Sequence, residues 1–196
     1  SVNVNQEAKQ KVSGYGIINL PENAANGQIS DVVVKGLTAT NLIKNGSFAD
    51  GVTGWSGATY YSLTAGNDIL TCKVTSILNS SARIETAQNL DFIAGHIYYC
   101  RTRLKTLYPH PTFFRIEYQA NSSYFVPQNS WGTYSALVTA TATESRKLLL
   151  YHPTDTDYSP GDEIAIDYIQ TIDLTQTFGA GNEPTKEQCD KIFSHY

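Results

Sequence analysis

The side chains best suited to hold a ligand lie on two predicted strands, over 96–105 and 113–118. An alternation of period two places every second side chain of such a strand on one face. If the two strands are neighbours, their outward residues share one sheet face. These residues are Tyr99, Arg101, Arg103, Arg115 and Glu117. Flat aromatic rings beside planar polar groups suit a sugar ring, because its C–H side stacks and its hydroxyls hydrogen-bond.

Two other interpretations of these residues stay open. The same face can be a plain solvated surface carrying Arg–Glu pairs, which stabilise a fold only slightly. Alternatively, Tyr60, Tyr61 and Tyr124 lie in or beside predicted loops and can form a second ligand site at the edge of the sheet.

The sequence offers no catalytic arrangement, so we expect a protein that is not an enzyme. A glycosidase needs two carboxylates facing one cleft, about 5–10 Å apart. Acidic residues are sparse here and fall mostly in turns, apart from Glu117. The histidines stand apart from one another with no Ser or Cys motif around them, and His110 lies between Pro109 and Pro111.

Three cysteines, Cys72, Cys100 and Cys189, do not form a closed set of disulfides. None lies at a spacing typical of zinc ligands. The pattern favours buried free thiols, and a Cys72–Cys100 bridge between neighbouring strands is the alternative.

The composition excludes several classes of function. The net charge of −4 and the pI near 5.5 do not indicate the excess of positive charge that nucleic-acid binding requires. No run of about 18 apolar residues is present, so we expect no segment that inserts in a membrane. Thr, Ser, Tyr, Asn, Gly and Val dominate where a helical bundle needs Leu, Lys, Glu and Ala, which favours β structure.

Short β-prone runs alternate with turn residues from Asn41 to about Asp173. Eight strands over about 130 residues predict an all-β jelly-roll sandwich of two antiparallel sheets. The predicted strands are Thr59–Leu63, Ile69–Val74, Ser81–Glu85, His96–Lys105, Thr112–Gln119, Thr133–Ala140, Lys147–His152 and Glu163–Ile172.

The two ends of the chain differ from this middle part. Residues 1–40 are expected to be a connector from an upstream domain, since the chain has no Met and reads as a piece of a longer polypeptide. The jelly roll is assigned to 41–175. Residues 176–196 are expected to form a turn and a short helix, N-capped by Thr185, which docks on the sandwich through one apolar stripe. The stripe residues are Cys189, Ile192 and Phe193.

The segment Asn41–Trp55, with its N-L-I-K-N-G-S-F and G-W elements, resembles the opening of carbohydrate-binding modules with a galactose-binding-like jelly roll. Residues 164–169, a strand carrying Asp167, match the close of those modules. The resemblance implies the same fold and a packed rather than ligand-stacking Trp55. Trp131 resembles a strand-entry tryptophan of the family and is expected in the core or at its rim.

The same resemblance implies a structural calcium ion. Family members often hold Ca²⁺ between the opening motif and the acidic residue of the last strand, here Asp167. This sequence has Ala49 where the family usually has Glu, and Asp50 is the available substitute. Calcium takes 6–8 oxygen ligands. The alternative is an Asp167 satisfied by backbone amides.

The segment Ile172–Thr185, I-D-L-T-Q-T-F-G-A-G-N-E-P-T, resembles a tail that follows jelly rolls in phage and prophage tail, baseplate and fibre proteins. Residues 34–42 resemble the lead-in found there. This resemblance implies a virion protein, made in the cytoplasm of a bacterial host, with other tail or baseplate subunits as partners. Trimerisation by analogy with fibre proteins is an open possibility that no heptad or repeat supports.

Together these features predict a non-catalytic carbohydrate-binding module that attaches a virion to host cell-surface glycans. The alternative is a purely structural virion module with the same fold and no glycan ligand. An exposed aromatic residue beside planar polar groups is the feature that distinguishes the two.

Overall fold

The computed structural model describes residues 38–76, 82–119, 124–151 and 158–193. The chain divides into two units, Ser1–Thr38 and Ala39–Tyr196. The connector predicted for residues 1–40 lies outside the described residues except for its last three positions. The second unit contains every strand and helix named below.

Eleven strands and two short helices form within the described residues. The strands are β1 (Trp55–Ser56), β2 (Tyr61–Gly66), β3 (Ile69–Val74), β4 (Arg83–Thr86), β5 (Leu90–Phe92), β6 (Ile97–Thr106), β7 (Phe113–Ile116), β8 (Gly132–Thr139), β9 (Glu144–Arg146), β10 (Leu148–Tyr151) and β11 (Glu163–Asp173). The helices are α1 (Leu174–Phe178) and α2 (Lys186–Ile192). Neither helix is long and apolar enough to cross a membrane.

All eight predicted strands are present, with ends displaced by up to three residues. The strands missed by the sequence analysis are β1, β5 and β9, which are only two or three residues long. A period-two pattern needs at least four residues to be recognised, so such short strands leave no signal.

The strands form a five-stranded sheet, in the order β2-β3-β11-β6-β8, and a four-stranded sheet, in the order β1-β4-β10-β7. Strands β5 and β9 form a separate two-stranded ribbon. Every pairing is antiparallel. Consecutive strands such as β6 and β7 lie in different sheets, as a jelly roll requires. The predicted all-β jelly-roll sandwich with a short C-terminal helix is confirmed.

The main core lies between the two sheets and takes alternate residues from each. From the five-stranded sheet it includes Leu70, Cys72, Tyr98, Cys100, Leu104, Ile164 and Ile166, and from the four-stranded sheet Ile84, Phe114, Ile116, Leu148 and Leu150. Trp55 belongs to this core, as predicted. Its ring lies 5.5 Å from that of Phe48, and its Nε1 donates to the Asn45 carbonyl at 3.0 Å.

The cysteines are buried free thiols, as the sequence favoured. The alternative bridge between Cys72 and Cys100 is wrong. Cys72, on β3, lies opposite Ile164 of β11. Cys100, on β6, accepts a hydrogen bond from the hydroxyl of Thr171, also of β11, at 3.6 Å. Strand β11 therefore runs between the two thiols. Burial raises the pKa of Cys100 to about 12, which keeps the thiol protonated.

The C-terminal segment, residues 174–193, docks on the outer face of the five-stranded sheet. A second apolar cluster forms there from Tyr99, Ile172, Leu174, Cys189 and Phe193. A capping box starts α2, because the Thr185 hydroxyl accepts from the Gln188 amide and the Gln188 side chain accepts from the Thr185 amide. The predicted N-cap and the docking of the helix are therefore both seen.

Asp190 joins the docked helix to the sheet. Its carboxylate accepts hydrogen bonds from the Tyr99 hydroxyl at 2.8 Å, the Ser135 hydroxyl at 2.5 Å and the Lys186 ammonium at 2.8 Å. Burial by itself raises the pKa of Asp190, but the hydrogen bonds from Lys186, Ser135 and Tyr99 outweigh it and lower the pKa. The carboxylate is thus held ionised at the contact between helix and sheet.

We predict that Asp190→Asn lowers the free energy of unfolding at pH 7 by about 1–2 kcal/mol, because three donors lose a charged acceptor. A folded-state pKa below the unfolded value of about 4 means that this stabilisation is present above pH 4 and lost as pH falls through the folded value. Urea denaturation should therefore show wild type and variant converging as the pH falls below the unfolded value. Glu187→Gln, an exposed carboxylate on the same helix, is the control; an equal loss there would contradict the assignment.

We also predict that Gly46→Ala destabilises the fold by about 1–3 kcal/mol. A Cβ at Gly46 would collide with the carbonyl oxygen of Ile169, and the Gly46 carbonyl accepts the Ile169 amide at 2.8 Å. The backbone of the N-terminal segment would have to move away from β11. Gly66→Ala, which meets nothing within 4 Å, is the matched control. Thermal unfolding of the two variants measures the difference in stability. Similar melting temperatures for Gly46→Ala and Gly66→Ala would contradict the predicted clash with the Ile169 carbonyl.

Candidate functional site

The outer side of the four-stranded sheet carries a group of aromatic and charged side chains, which we name the four-stranded face. Alternation sends one set of residues from β4, β7 and β10 into the core and the other set outward. We include in this face the outward residues of the three strands, the residues that continue β7 and β10, and the adjacent Tyr124. They are Arg83, Glu85, Phe113, Arg115, Glu117, Lys147, Leu149, Tyr151 and Tyr124.

Strand register arranges these residues in rows across the sheet. Tyr151 lies between Arg83 and Phe113 in the first row. Leu149 lies between Glu85 and Arg115 in the second row. Leu149 is only 4% exposed although it belongs to neither apolar core cluster. Leu149 is therefore an apolar side chain enclosed on the outward side of the sheet, with the longer polar side chains of Glu85 and Arg115 on either side of it.

Three aromatic rings lie side by side at one edge of the face. The Phe113 ring is 6.0 Å from that of Tyr124 and 6.5 Å from that of Tyr151, at interplanar angles of 60° and 49°. Tyr124 is 62% exposed, and the other two rings are partly exposed. Such a row offers an apolar surface on which a flat ligand can stack.

Arg115 lies directly beside this aromatic row. Its guanidinium carbon is 5.5 Å from the centre of the Tyr151 ring, and its Nε donates to the Gln119 carbonyl at 2.9 Å. Gln119 is itself buried, with its amide bonded to Glu144 at 2.8 Å and to the Thr141 backbone at 2.7 Å. The guanidinium is thus oriented by packing on both sides.

Glu85 is a nearly buried carboxylate on this outward face. It accepts from Arg83 Nε at 2.7 Å and from Lys147 Nζ at 2.5 Å. Burial alone raises the pKa of Glu85, but the hydrogen bonds and charges of Lys147 and Arg83 lower it below its ordinary value. The two cations therefore favour the ionised form of this carboxylate and compensate its charge.

The five ligand-face residues chosen from sequence do not share one face, so that expectation is wrong. Only Arg115 and Glu117 of the five lie on the four-stranded face. Tyr99, Arg101 and Arg103 lie on β6, in the five-stranded sheet. The expectation required β6 and β7 to pair as neighbours in one sheet. The chain instead passes from one sheet to the other between these two strands.

The C-terminal segment covers two of the three β6 residues. Tyr99 is fully buried against Phe193, with ring centres 5.5 Å apart. Arg101 is 8% exposed, and its guanidinium donates to the Phe193 carbonyl. Tyr99 and Arg101 therefore attach the tail to the sheet and present no surface to a ligand.

Arg103 lies on the uncovered half of the same sheet face. It pairs with Asp167 and lies over the Trp131 ring, 4.9 Å from its centre. Lys105 is 5.4 Å from the same ring centre. Trp131 is partly exposed, which agrees with the predicted position at the rim of the fold.

Tyr60 and Tyr61 do not form an open edge site. Tyr61 is 5% exposed and belongs to the main core, and Tyr60 packs against that core from its margin. Tyr124 alone of the three predicted loop tyrosines is largely exposed, where it extends the aromatic row.

The residues proposed for calcium do not fit a calcium site as they are placed. The Asp167 carboxylate is bound by Arg103. In the opening loop, Asn45 Nδ2 donates to the carbonyls of Gly51 at 3.0 Å and Thr53 at 2.9 Å, and Asn45 Oδ1 accepts the Asp50 amide at 2.9 Å. A side-chain amide thus holds the loop carbonyls that a cation would need. Among the described residues, no three His, Cys, Asp or Glu side chains are grouped for a metal.

Sequence analysis missed Phe113, Tyr151, Arg83, Glu85 and Lys147. A signal existed for Phe113, because the alternation that places Phe114 in the core places Phe113 outward, where an aromatic residue is unusual. The others became visible only when the order β4-β10-β7 brought three separate parts of the chain side by side.

Comparison with known proteins agrees with this architecture. No family model and no curated protein matches the sequence. A solved family 4 carbohydrate-binding module is 15% identical, with a TM-score of 0.52, over 67% of this chain and 99% of that one. The second N-terminal cellulose-binding domain of Cellulomonas fimi β-1,4-glucanase C is 11% identical, with a TM-score of 0.53, over 69% of this chain and 95% of that one. The fold is the jelly roll of carbohydrate-binding modules.

A phage protein is also among the similar structures. The enzymatically active domain of bacteriophage CBA120 tailspike protein 4 is 14% identical, with a TM-score of 0.47, over 67% of this chain and 21% of that one. A likeness at this level assigns no role to the present chain. The jelly roll common to the two carbohydrate-binding modules is what the comparisons establish.

We predict that a chelator leaves the melting temperature of the purified chain unchanged, whereas Asn45→Ala lowers it by several degrees. Losing the Asn45 amide leaves two loop carbonyls and the Asp50 amide without their partner, at a cost of about 1–3 kcal/mol. Thermal unfolding with added calcium and with EDTA measures both effects. A chelator-induced drop, or binding of calcium in titration calorimetry, would restore the calcium hypothesis.

Proposed function

We propose that this protein is a non-catalytic glycan-binding module whose ligand lies on the four-stranded face. The observation that carries the proposal is the row of Tyr124, Phe113 and Tyr151 beside Arg115 on a sheet face. Both helices pack on the other sheet, so the C-terminal segment leaves this face open. The fold supports the proposal, since it is the jelly roll of carbohydrate-binding modules.

The face offers both kinds of contact that a sugar requires. The C–H side of a pyranose stacks on the rings of Phe113 and Tyr151, while its hydroxyls bond to Arg115 and Glu117 in the adjoining rows. The long side chains over Leu149 are already ordered by their mutual hydrogen bonds, which reduces the entropy lost when a ligand binds. The shallow surface implies weak affinity at each site.

The charges on the face support binding rather than hydrolysis. A glycosidase needs a carboxylic acid with a raised pKa as the proton donor. Glu85 has the opposite property, because Lys147 and Arg83 lower its pKa and hold it ionised. Glu117 is then the one carboxylate of this face left without a salt bridge among the described residues.

We further propose that the module serves in a phage or prophage virion, attached to other tail or baseplate subunits, and binds host cell-surface glycans. This step rests on the resemblance of the segment Ile172–Thr185 to phage tail proteins. In the structure this segment folds back on itself, since Glu183 accepts the Thr175 hydroxyl at 2.7 Å and the Gly181 amide at 2.8 Å. Several copies in one particle, as homo-oligomers or repeated subunits, would convert weak binding into avidity.

We predict that the purified chain, displayed multivalently, binds glycans on an array or on host cell-wall material, and that Phe113→Ala weakens this binding about 5- to 10-fold. Truncation removes the middle ring of the aromatic row. Trp131→Ala, an aromatic truncation on the five-stranded sheet, is the matched control and should bind like wild type. Thermal unfolding confirms that both variants are folded.

Two outcomes of this assay would contradict the proposal. Loss of binding in Trp131→Ala but not in Phe113→Ala would move the ligand to the five-stranded sheet. An absence of saturable binding, even with many copies displayed, would favour the alternative of a structural virion module without a glycan ligand.

A further inference from the structure

We infer that the glycan bound by the four-stranded face carries a carboxylate, and that the terminal nitrogens of Arg115 bind this group. The inference rests on the proposed function, because it names the class of sugar that the same face takes. Three features carry it: the fixed orientation of Arg115, its unused donors and the charge around it.

The orientation of Arg115 is set by groups that leave its outer end free. The bond from Nε to the Gln119 carbonyl, at 2.9 Å, uses one side of the guanidinium, and the Tyr151 ring supports its face. Gln119 is only 6% exposed and is bonded through its own side chain to Glu144 and Thr141. An arginine held in this way loses little entropy when it binds a ligand.

The terminal nitrogens of Arg115 have no hydrogen-bond or ion-pair partner in the described part of the chain. Other arginines differ in this respect, since Arg83, Arg103 and Arg146 each pair with a carboxylate and Arg101 donates to the Phe193 carbonyl. A guanidinium with both terminal nitrogens available matches the two oxygens of a carboxylate in a bidentate pair.

The local charge also favours an anion. The whole chain carries a net charge of −4. On the four-stranded face, however, three cations stand against two carboxylates. Glu85 is already shared by Arg83 and Lys147, which gives the face a net positive charge, and among the described residues Arg115 makes no ion pair with Glu117, the remaining carboxylate.

The position of Arg115 suits a sugar that stacks on the aromatic row. Phe113 and Arg115 are two residues apart on one strand face, about 7 Å along the strand, which is close to the width of a sugar ring with its exocyclic group. Glu117 lies a further two residues along, on the side away from the aromatic row. A uronic acid stacked on Phe113 and Tyr151 therefore meets Arg115 before it meets the carboxylate of Glu117.

The test compares acidic polysaccharides with their own neutral forms. Alginate, polygalacturonate and hyaluronan are each immobilised beside a carboxyl-reduced preparation of the same polymer, together with neutral β-glucan and xylan and with a sulfated polysaccharide. We expect at least one uronate polymer to bind roughly 10- to 100-fold more tightly than its reduced form. The binding should weaken as ionic strength rises, because a partly exposed ion pair is screened.

Variants of Arg115 distinguish a bidentate pair from a general effect of charge. Arg115→Gln should remove the preference for the uronate polymer, and Arg115→Lys should restore only part of it, because an ammonium lacks the planar fork. Arg103→Gln is the matched control, since Arg103 lies on the five-stranded sheet, where it pairs with Asp167 and lies 4.9 Å from the centre of the Trp131 ring. The melting temperature of each variant separates a loss of binding from a loss of folding.

The outcomes separate this inference from the function on which it rests. Equal binding of uronate and reduced polymers, with Phe113→Ala weakening both, would overturn the carboxylate inference and leave glycan binding intact. Tighter binding of the sulfated polymer than of any uronate would also overturn it. No saturable binding to any polymer, neutral or acidic, would overturn both.

Discussion

The structure depends most on the strand β11, which is bonded on both of its edges and packed on both of its faces. Its partners are β6 along most of its length, β3 along its first half, and the backbone of Asn41–Leu42 near its end. Because both edges of β11 are hydrogen-bonded, its register cannot shift without breaking two sets of bonds. One irregularity, between Ile166 and Tyr168, turns Asp167 toward Arg103.

The same strand leads directly into the C-terminal segment and so fixes where that segment docks. Asp173 ends β11 and caps α1, since its Oδ1 accepts the Gln176 amide at 2.8 Å, while its Oδ2 lies 2.8 Å from His96 Nδ1. The apolar side chains of α2 then cover Tyr99 and Ile172 on the outer face of the sheet. One half of that face becomes a second core, with Asp190 as its polar contact.

The two outer faces of the sandwich are consequently different surfaces. The tail covers Tyr99 and Arg101 on the five-stranded side, whereas Arg103 stays on the uncovered part of that side, paired with Asp167 and over the Trp131 ring. The four-stranded side carries the largely exposed ring of Tyr124 and the partly exposed rings of Phe113 and Tyr151 at its outer surface. Arg83 and Lys147 together compensate the charge of the nearly buried Glu85, whereas the terminal nitrogens of Arg115 have no partner among the described residues.

The sequence by itself determined the eight longer strands and the capped helix, because these depend on patterns within a few residues; the buried Trp55 followed from the resemblance to carbohydrate-binding modules. Alternation along 113–118 correctly gave Arg115 and Glu117 as outward residues, and the Thr185 cap is likewise a local signal. Tertiary structure decided which faces are open. The sequence around Tyr99 reads as a half-exposed strand, yet a helix some ninety residues later buries it. Pairing β7 with β10 rather than β6 also came from the whole molecule, since strand order is chosen by the burial of both sheets together and not by any property of the strands alone.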